Sequence, residues 1–212
     1  MRYQAVIFDL DGVICHTDKY HYEAWKELSD SLGIFFDETI NNRLRGVSRM
    51  ESLEIILENY DGIMSEEEKS RNAELKNKIY VQLLSNMSHQ DLPSEVNNTL
   101  LVLKESGILL GIGSSSKNAK YILKQIGLEG FFDAIADGNS IINSKPDPEV
   151  FLKAAEYLQI KPESCLVVED AMAGIVAAKA AGMDCAAVGE GMLATKADYF
   201  LFSFEDLLAY VK

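Results

Sequence analysis

The chain has 212 residues, of which 48% are hydrophobic and 25% charged, and it contains 4 prolines and 14 glycines. This composition is typical of an ordinary globular domain and excludes disordered, collagenous and membrane-spanning chains. The 33 acidic side chains outnumber the 20 basic ones and give a net charge of −13, which argues against nonspecific binding to nucleic acid or to anionic membranes. We therefore expect any phosphate ligand to be bound by local cations and backbone amides.

Cysteine usage indicates the compartment. Cys15, Cys165 and Cys185 are odd in number and widely spaced, and they form neither a CxxC pair nor a His/Cys cluster. We therefore expect a cytoplasmic protein in a reducing environment. The first apolar run is interrupted by two aspartates and no small-residue cleavage site follows it, so we expect no signal peptide. No segment reaches the roughly 18 unbroken apolar residues of a transmembrane helix.

The predicted elements begin with a short strand. The apolar, partly β-branched run YQAVIF at residues 3–8 is typical of a buried strand, and Asp9 follows at its carboxyl end. From residue 18 to about residue 86, apolar residues instead repeat at helical spacing, and Ser65 with Glu68 forms a capping-box signature. We expect this segment to be entirely helical.

Strand-like and helical runs alternate through the rest of the chain. The predicted strands lie at residues 108–113, 132–137, 165–170, 185–189 and 197–202. The predicted helices lie near residues 95–106, 118–126, 148–157 and 171–181. Such alternation predicts crossover units, and hence an α/β fold with a doubly wound, Rossmann-like parallel sheet and helices on both faces.

The helical segment interrupts this alternation after the first strand, so we interpret it as an insertion. It would form a small helical cap domain above the carboxyl ends of the strands, where open α/β sheets bind ligands. The predicted organisation is an α/β core of residues 1–16 and 89–212 with a cap of residues 17–88. The hinges between them would lie near residues 15–17 and 88–92.

Two acidic pairs follow predicted strands. Asp9 and Asp11 lie two positions apart, so an extended backbone points both side chains the same way, and Glu169 and Asp170 end a second strand. Carboxylates this close repel each other unless they share a proton or bind a divalent cation. Four of them at one sheet edge would suit a hard cation such as Mg²⁺. The alternatives are a solvated turn for the first pair and a helix-capping role for Asp170.

The segment GIGSSSKN, residues 111–118, joins a predicted strand to a helix. Gly111 and Gly113 match part of a dinucleotide-binding fingerprint, but its third glycine position holds Ser116, which disfavours a nicotinamide cofactor. What remains is a set of hydroxyls and backbone amides at a helix amino terminus, which suits phosphate, with Ser114 nearest the strand end. A plain serine-rich loop is the alternative.

Two groups of cations could balance the carboxylates and bind phosphate. Lys145 precedes Pro146, so its backbone is extended and projects the side chain toward the sheet edge. Three arginines lie within residues 43–49 around Gly46, and the planar guanidinium group suits phosphate oxygens. A lone surface lysine and a solvated arginine face are the respective alternatives.

In chain order, DLDGV at 9–13, Ser114 after a strand, Lys145 before a proline and ED at 169–170 resemble the four motifs of the haloacid dehalogenase superfamily of phosphotransferases. The whole chain resembles this family, including the helical cap inserted after the first motif. Within the family it is most similar to enzymes that move phosphate between two positions of glucose. That similarity is carried by GVSR at 46–49, SxSKN at 114–118, AIAD at 134–137, SKP at 144–146 and the helix of His21 and Trp25.

The resemblance implies a role for each motif. Asp9 would be the nucleophile that becomes an aspartyl phosphate, and Asp11 would be the general acid and base. Ser114 and Lys145 would bind the transferring phosphoryl group. Mg²⁺ would be the cofactor, held by Asp9, the backbone carbonyl of Asp11, Glu169 and Asp170. The residues that would contact the substrate are Asp11, Thr17, His21, Trp25, Gly46, Val47, Ser48, Arg49, Ser52, Lys76, Ser115, Ser116, Lys117 and Asn118.

The activity implied by the resemblance is the interconversion of β-glucose 1-phosphate and glucose 6-phosphate through β-glucose 1,6-bisphosphate, by a monomer. A phosphatase of sugar phosphates or other small phosphate esters is the alternative within the family, because the core motifs are the same. A phospho-acceptor signalling domain is a distant alternative that the length and the insertion disfavour. Two places depart from the family pattern, with His16 where an acidic residue is common and Pro93 followed by Ser94 where Pro-Gly is usual.

Overall fold

The computed structural model describes residues 2–44, 47–189, 191 and 196–211. Within these residues the strands are β1 (Ala5–Phe8), β2 (Leu109–Gly113), β3 (Ala134–Ala136), β4 (Cys165–Glu169), β5 (Asp184–Ala187) and β6 (Tyr199–Phe200). They form one sheet in the order β3-β2-β1-β4-β5-β6, and every adjacent pair is parallel.

Helices surround the sheet and fill the segment between its first two strands. The α-helices of the described residues are α1 (Asp18–Ser31), α2 (Glu38–Asn42), α3 (Arg49–Leu57), α4 (Glu66–Leu84), α5 (Ser94–Glu105), α6 (Ala119–Gln125), α7 (Glu149–Leu158), α8 (Met172–Ala180) and α9 (Leu207–Val211). Short 3₁₀ helices lie at His89–Asp91, Pro162–Ser164 and Phe204–Asp206.

Strand β1 lies in the middle of the sheet, between β2 and β4. All four of its residues are buried, and Phe8 is in register with Ile112 of β2 and Val168 of β4. The chain adds β2 and β3 on one side of β1 and β4 to β6 on the other, so the strand order reverses at β1. Open α/β sheets bind ligands at the carboxyl edge of such a point. The backbone N–H of Asp9 donates to Val168 O at 3.0 Å and keeps Asp9 at this edge.

The side chains of successive β1 residues point to opposite faces of the sheet. Phe8 belongs to an apolar core shared with α5, α6 and α9, whereas Ile7 belongs to a second core shared with α7 and α8. Helices on both faces confirm the predicted doubly wound fold. A Cβ on Gly113 would lie 2.7 Å from the Phe151 ring of α7, and one on Gly111 would also touch that helix. These glycines therefore let α7 approach the sheet and do not form a dinucleotide loop.

The four helices between β1 and α5 have an apolar core of their own. Its buried residues come from these helices and their connecting segments, and they are Trp25, Leu28, Ile34, Phe36, Ile40, Leu44, Leu53, Ile56 and Ala73. Parts of α1 and α4 instead join the main core through Tyr20 and Tyr80. The predicted helical insertion is confirmed, and the capping box of Ser65 and Glu68 is present at the start of α4.

Some element boundaries differ from the predicted ones. Strand β6 comprises only Tyr199–Phe200, because an edge strand has a partner on one side only. Helix α7 begins at Glu149, one residue later than expected, and the Asp147 carboxylate accepts the Glu149 N–H at 2.9 Å and so caps the helix. All three cysteines are free and buried. None of the helices in the described ranges has the length and apolar character needed to cross a membrane.

Candidate active site

Lys145 is the centre of a polar cluster at the carboxyl edge of the sheet. Its Nζ lies 2.5 Å from Asp9 Oδ1 and 2.6 Å from Glu169 Oε1, and all three residues are almost completely buried. The lysine reaches this position from the loop between β3 and α7, and its Nζ also lies over the ring of Phe151. The fold thus joins three of the four motifs in one cluster.

Burial dominates the electrostatics of this cluster. Burial raises the pKa of Asp9 well above its usual value, and Lys145 opposes this shift while three neighbouring carboxylates reinforce it. Burial alone would lower the pKa of Lys145, but the carboxylates of Asp9 and Glu169 raise it above its usual value. Lys145 therefore stays charged, and the acidic groups around it outnumber it.

Both oxygens of the Glu169 carboxylate have partners. Oε1 accepts from Lys145 at 2.6 Å, and Oε2 accepts the backbone N–H of Ala171 at 2.8 Å. The carboxylate fits because residue 174 is glycine, since a Cβ on Gly174 would lie 1.7 Å from Oε1. The start of α8 therefore fixes Glu169 against the edge of the sheet.

The two acidic motifs meet at Gly12, in the turn after β1. This residue has a φ of +94°, a left-handed conformation that favours glycine, and the Asp170 carboxylate packs against it. Burial, reinforced by the charge of Glu169, raises the pKa of Asp170 to about 7. The fold therefore brings the two acidic pairs to one place.

The acidic cluster of the described residues has the donor chemistry of a metal site but not its arrangement. Within the described residues, no group of three or more His, Cys, Asp or Glu side chains has the arrangement of a metal site. One reason is that Glu169 is bound to Lys145 and to a backbone N–H. The chemistry of the donors nonetheless fits a hard divalent cation, because Asp9 and Asp170 offer carboxylate oxygens whose raised pKa values a cation would lower.

Asp11 lies at the junction between the sheet and the inserted helices. Its Oδ1 accepts a hydrogen bond from Thr17 Oγ1, and Thr17 is fully buried immediately before α1. Burial raises the pKa of Asp11, although the hydrogen bond from Thr17 lowers it. A carboxyl group with a raised pKa can act as a proton donor as well as an acceptor.

The serine-rich loop after β2 is ordered by its own side chains. Ser114 is buried, its N–H donates to Ala136 O at 3.1 Å, and its Oγ accepts the Ser116 N–H at 3.1 Å. Ser116 Oγ accepts in turn the Asn118 N–H at 3.2 Å, just before α6. Ser115 Oγ is buried and has no hydrogen-bond partner in the part of the chain that the structure describes. These bonds hold the loop in one conformation at the sheet edge.

A second buried lysine, Lys76, lies in the inserted helices. Its Nζ is 2.9 Å from His21 Nδ1 and lies over the rings of Trp25 and Tyr80. Burial and the charge of Arg49 lower the pKa of Lys76 to about 7. Burial and the charge of Lys76 lower the pKa of His21 well below its usual value, so the imidazole is neutral. An anion bound beside Lys76 would stabilise its charged form.

Arg49, the first residue of α3, is linked to the loop after β2. Its Nη2 donates to Asn77 Oδ1 at 2.9 Å, and Asn118 Nδ2 donates to the same oxygen at 2.9 Å. Arg43, from the same arginine-rich segment, instead pairs with the exposed Glu58. Asn77 of α4 therefore links the inserted helices to the core, and Arg49 shares this acceptor, while Arg43 has the solvated role that was the alternative for this segment.

The remaining residues expected to contact substrate have varied surroundings. Ser48 caps α3, since its Oγ accepts the Glu51 N–H at 3.3 Å and the Glu51 carboxylate accepts the Ser48 N–H at 2.8 Å. Ser52 is buried on the same helix. Val47 is partly buried and Lys117 is exposed. The hydroxyl of Ser48 is thus engaged by the start of its own helix.

Two residues of this site, Asn77 and Tyr80, are not among those expected from the sequence. Tyr80 lies four residues after Lys76, and that helical spacing was a signal that could have placed it beside the lysine. Asn77 has no comparable signal, because a polar residue on an amphipathic helix usually faces solvent. Gly46, expected to contact substrate, lies outside the described residues.

The central strand, the buried ion pair and the acidic edge define the class of protein. A buried carboxylate beside a charged lysine, at the switch point of a parallel sheet, is typical of an α/β enzyme of phosphoryl transfer or hydrolysis. The family model for haloacid dehalogenase-like hydrolases matches residues 3–182, and the chain belongs to this family. The resemblance carried by the four motifs is thereby confirmed.

Relatives of the chain include mutases and phosphatases. The chain is 42% identical over 207 residues to a beta-phosphoglucomutase of Bacillus subtilis, with 96% of this chain and 91% of that protein covered. It is 34% identical over 184 residues to a phosphorylated carbohydrates phosphatase of Thermotoga maritima, with 85% and 82% covered. The crystal structure of a beta-phosphoglucomutase from Clostridium difficile matches with a TM-score of 0.91 at 42% identity, over 99% of this chain and 95% of that one. The chain is thus a phosphotransferase or phosphatase of the haloacid dehalogenase superfamily.

Proposed function

We propose that the protein is a Mg²⁺-dependent β-phosphoglucomutase that interconverts β-D-glucose 1-phosphate and D-glucose 6-phosphate through β-glucose 1,6-bisphosphate. The observation that carries this proposal is that the core and the inserted helices each provide cations. Lys145 lies among the carboxylates at the sheet edge, whereas Arg49 and Lys76 lie in the inserted helices. A substrate that carries a reacting and a non-reacting phosphate needs a cation near each of them, one in the core and one in the inserted helices. The similarity to the mutases of Bacillus subtilis and Clostridium difficile supports the same reading.

We further propose that residues 17–88 act as a cap over a catalytic core of residues 1–16 and 89–212. The separate apolar core of the inserted helices supports this division. The two connections are short, and an ion pair of 3.7 Å between Lys19 and Asp91 joins them. Closure of the cap would exclude water, which would otherwise hydrolyse an aspartyl phosphate.

In the proposed reaction Asp9 is the nucleophile and Asp11 moves the proton. An Asp9 oxygen attacks the phosphorus of the bisphosphate, the bond from phosphorus to the sugar oxygen breaks, and Asp11 gives its proton to that oxygen. In the other half-reaction Asp11 takes the proton from a sugar hydroxyl as that oxygen attacks the phosphorus of the aspartyl phosphate, and the bond from phosphorus to the Asp9 oxygen breaks and restores the Asp9 carboxylate. The raised pKa of Asp11 supports its role as the acid. The two halves together move a phosphate between C1 and C6 of glucose.

Charge opposes the approach of a carboxylate to a phosphate group. Lys145, held charged by its two carboxylate partners, would offset this repulsion, and Ser114 would bind the same phosphoryl oxygens. Mg²⁺, when bound, supplies further charge stabilisation, and the residues that would hold it are Asp9, the backbone carbonyl of Asp11, Glu169 and Asp170. The non-reacting phosphate would be bound by Arg49, Ser116, Lys117 and Asn118.

A phosphatase acting on sugar phosphates is the second candidate, and the similarity to the Thermotoga maritima phosphatase favours it. Both candidates form the same aspartyl phosphate, and they differ in whether a sugar hydroxyl or water accepts the phosphoryl group. Membership of the family disfavours the phospho-acceptor signalling domain, which lacks the helical insertion.

The deciding experiment follows two products at once. The protein is incubated with β-glucose 1-phosphate, a trace of β-glucose 1,6-bisphosphate and Mg²⁺, and glucose 6-phosphate and free phosphate are measured in parallel. We expect glucose 6-phosphate to accumulate with little free phosphate. Phosphate release without glucose 6-phosphate would refute the mutase and support the phosphatase.

A further inference from the structure

The side chain of Asn77 joins three separate elements through one oxygen atom. Asn77 lies on α4, and its Oδ1 accepts hydrogen bonds of 2.9 Å from Arg49 Nη2 of α3 and of 2.9 Å from Asn118 Nδ2 before α6. Two donors from opposite sides of the junction between inserted helices and core therefore converge on a single acceptor.

We propose that Asn77 is a positioning residue that holds Arg49 and Asn118 around one point, and that an oxygen of the non-reacting phosphate takes over both donors when substrate binds. This proposal rests on the proposed function, in which Arg49 and Asn118 bind that phosphate. The hydrogen bonds that the structure describes for the Asn77 side chain go to these two residues, so it acts through them.

The chemistry of the two donors supports such an exchange. Burial lowers the pKa of Arg49, and its Nη2 donates to a neutral amide oxygen. An anionic phosphate oxygen attracts the positive guanidinium group by charge as well as by the hydrogen bond, whereas a neutral amide oxygen has no net charge. A phosphate oxygen is therefore a better acceptor for Arg49 than Asn77 is. The neutral amide keeps the donors aimed without competing strongly for them.

The main chain and the side chain of Asn118 are held by different residues. Its backbone N–H is held by Ser116 Oγ at 3.2 Å, which fixes the main chain before α6. The direction of the side-chain amide is instead set by Asn77. Loss of the Asn77 oxygen would leave the main chain in place and release the two donors. It would therefore weaken binding of the non-reacting phosphate.

Two substitutions of Asn77 separate positioning from stability. Asn77→Ala removes the acceptor, so Arg49 and Asn118 must be ordered when substrate binds, and the KM for β-glucose 1-phosphate should be about 3- to 10-fold higher. The change is taken relative to the KM for acetyl phosphate, which has no non-reacting phosphate. Asn77→Asp keeps an acceptor and adds a charge that pairs with Arg49 but repels phosphate, so its KM should rise further, by at least about tenfold. The melting temperature should follow another order, with the Asp variant at or above wild type and the Ala variant below it.

A matched control lies on the same helix. Asn72 is also partly buried on α4, and its Nδ2 contacts the Met64 sulfur at 3.2 Å. Asn72→Ala and Asn72→Asp should leave the ratio of the two KM values as in wild type. If the KM values of the Asn77 variants follow their melting temperatures, or match those of the Asn72 variants, Asn77 is only structural and the proposal is wrong.

Calorimetric binding of β-glucose 1,6-bisphosphate in the Asp9→Asn background separates this proposal from the proposed function, because it needs no turnover. Affinity that falls from wild type to Asn77→Ala to Asn77→Asp supports the positioning role even if no glucose 6-phosphate is formed. Mutase activity with unchanged affinities keeps the function and refutes the positioning role. If the Asp9→Asn protein with Asn77 unchanged does not bind the bisphosphate at all, both the proposed function and the positioning role are refuted.

Discussion

The carboxylate of Asp170 occupies the space that a side chain on Gly12 would need, since a Cβ there would lie 2.1 Å from Asp170 Oδ2. Gly12 also has a φ of +94°, which side chains of L residues rarely tolerate. The first and fourth motifs, far apart in sequence, are therefore fitted to each other around a residue that must be glycine.

Gly12→Ala should reduce both stability and activity, for separable reasons. A left-handed backbone costs a residue other than glycine about 1–3 kcal/mol. Gly182→Ala is a matched control, because Gly182 has a φ of +74° and an added Cβ meets nothing within 4 Å. Both variants should unfold at lower urea concentration, but only Gly12→Ala should lose most of its turnover per folded molecule. Equal activities would contradict the fit between Gly12 and Asp170.

The two aspartates of the first motif should behave differently, although their chemistry is alike. Asp9→Asn should form no phosphoenzyme when mixed with β-glucose 1,6-bisphosphate, because the variant lacks the proposed nucleophile. Asp11→Asn should form it about 10²- to 10⁴-fold more slowly, as loss of a general acid does. Rapid-quench trapping followed by intact mass measures both. A phosphoenzyme on Asp9→Asn would overturn the assignment.

Metal dependence should follow from the acidic edge. Excess chelator should abolish turnover and Mg²⁺ should restore it. Asp170→Ala should raise the Mg²⁺ concentration needed for half-maximal activity by at least about tenfold, since it removes a carboxylate from the proposed ligands. Asp37→Ala, which removes the cap of α2, should lower stability without changing this concentration. Full activity in excess chelator would rule out the proposed cofactor.

Lys76 should make stability depend on pH in a defined window. Its pKa is about 7 in the folded chain against a usual value of 10.5. Between these pH values the unfolded chain binds a proton that the folded chain does not, so this group increases stability as pH rises. Lys76→Met removes the titration, so its gain in stability over wild type should be largest near about pH 7 and shrink toward about pH 10. Urea unfolding across this range measures the gain.

The exposed neighbour Lys78 provides the control for this titration. Lys78→Met makes the same replacement at an exposed position of the same helix, so the gain of Lys76→Met is measured relative to it at each pH. A relative gain for Lys76→Met that keeps one size across this pH range would mean that burial does not depress the pKa of Lys76 in the folded chain.

The polar edge could be predicted from the sequence because parallel strands share one carboxyl edge. Once Asp9 and Glu169 are assigned to the ends of neighbouring strands, their proximity follows from topology. Local signals also sufficed for the helix start at Ser65 and Glu68, because a capping box is read within four residues. These inferences need hydrophobic periodicity and turn chemistry only.

The contacts of the inserted helices could not be predicted in the same way. Whether Arg49 or Arg43 is linked to the core through Asn77 depends on how α3 packs against α4, and both arginines lie in the same short segment. The acceptor that Asn77 offers to two elements is likewise a product of tertiary packing. No period or motif in α4 distinguishes Asn77 from Asn72.

The most direct test of the mutase mechanism follows the phosphoryl group itself. The protein is phosphorylated on Asp9 with ³²P-labelled β-glucose 1,6-bisphosphate in the presence of Mg²⁺, separated from excess label, and mixed with β-glucose 1-phosphate in a single turnover. The mechanism predicts that most of the label leaves in sugar phosphates, because the proposed cap would exclude water while a sugar hydroxyl attacks. Release of most of the label as free phosphate would contradict it.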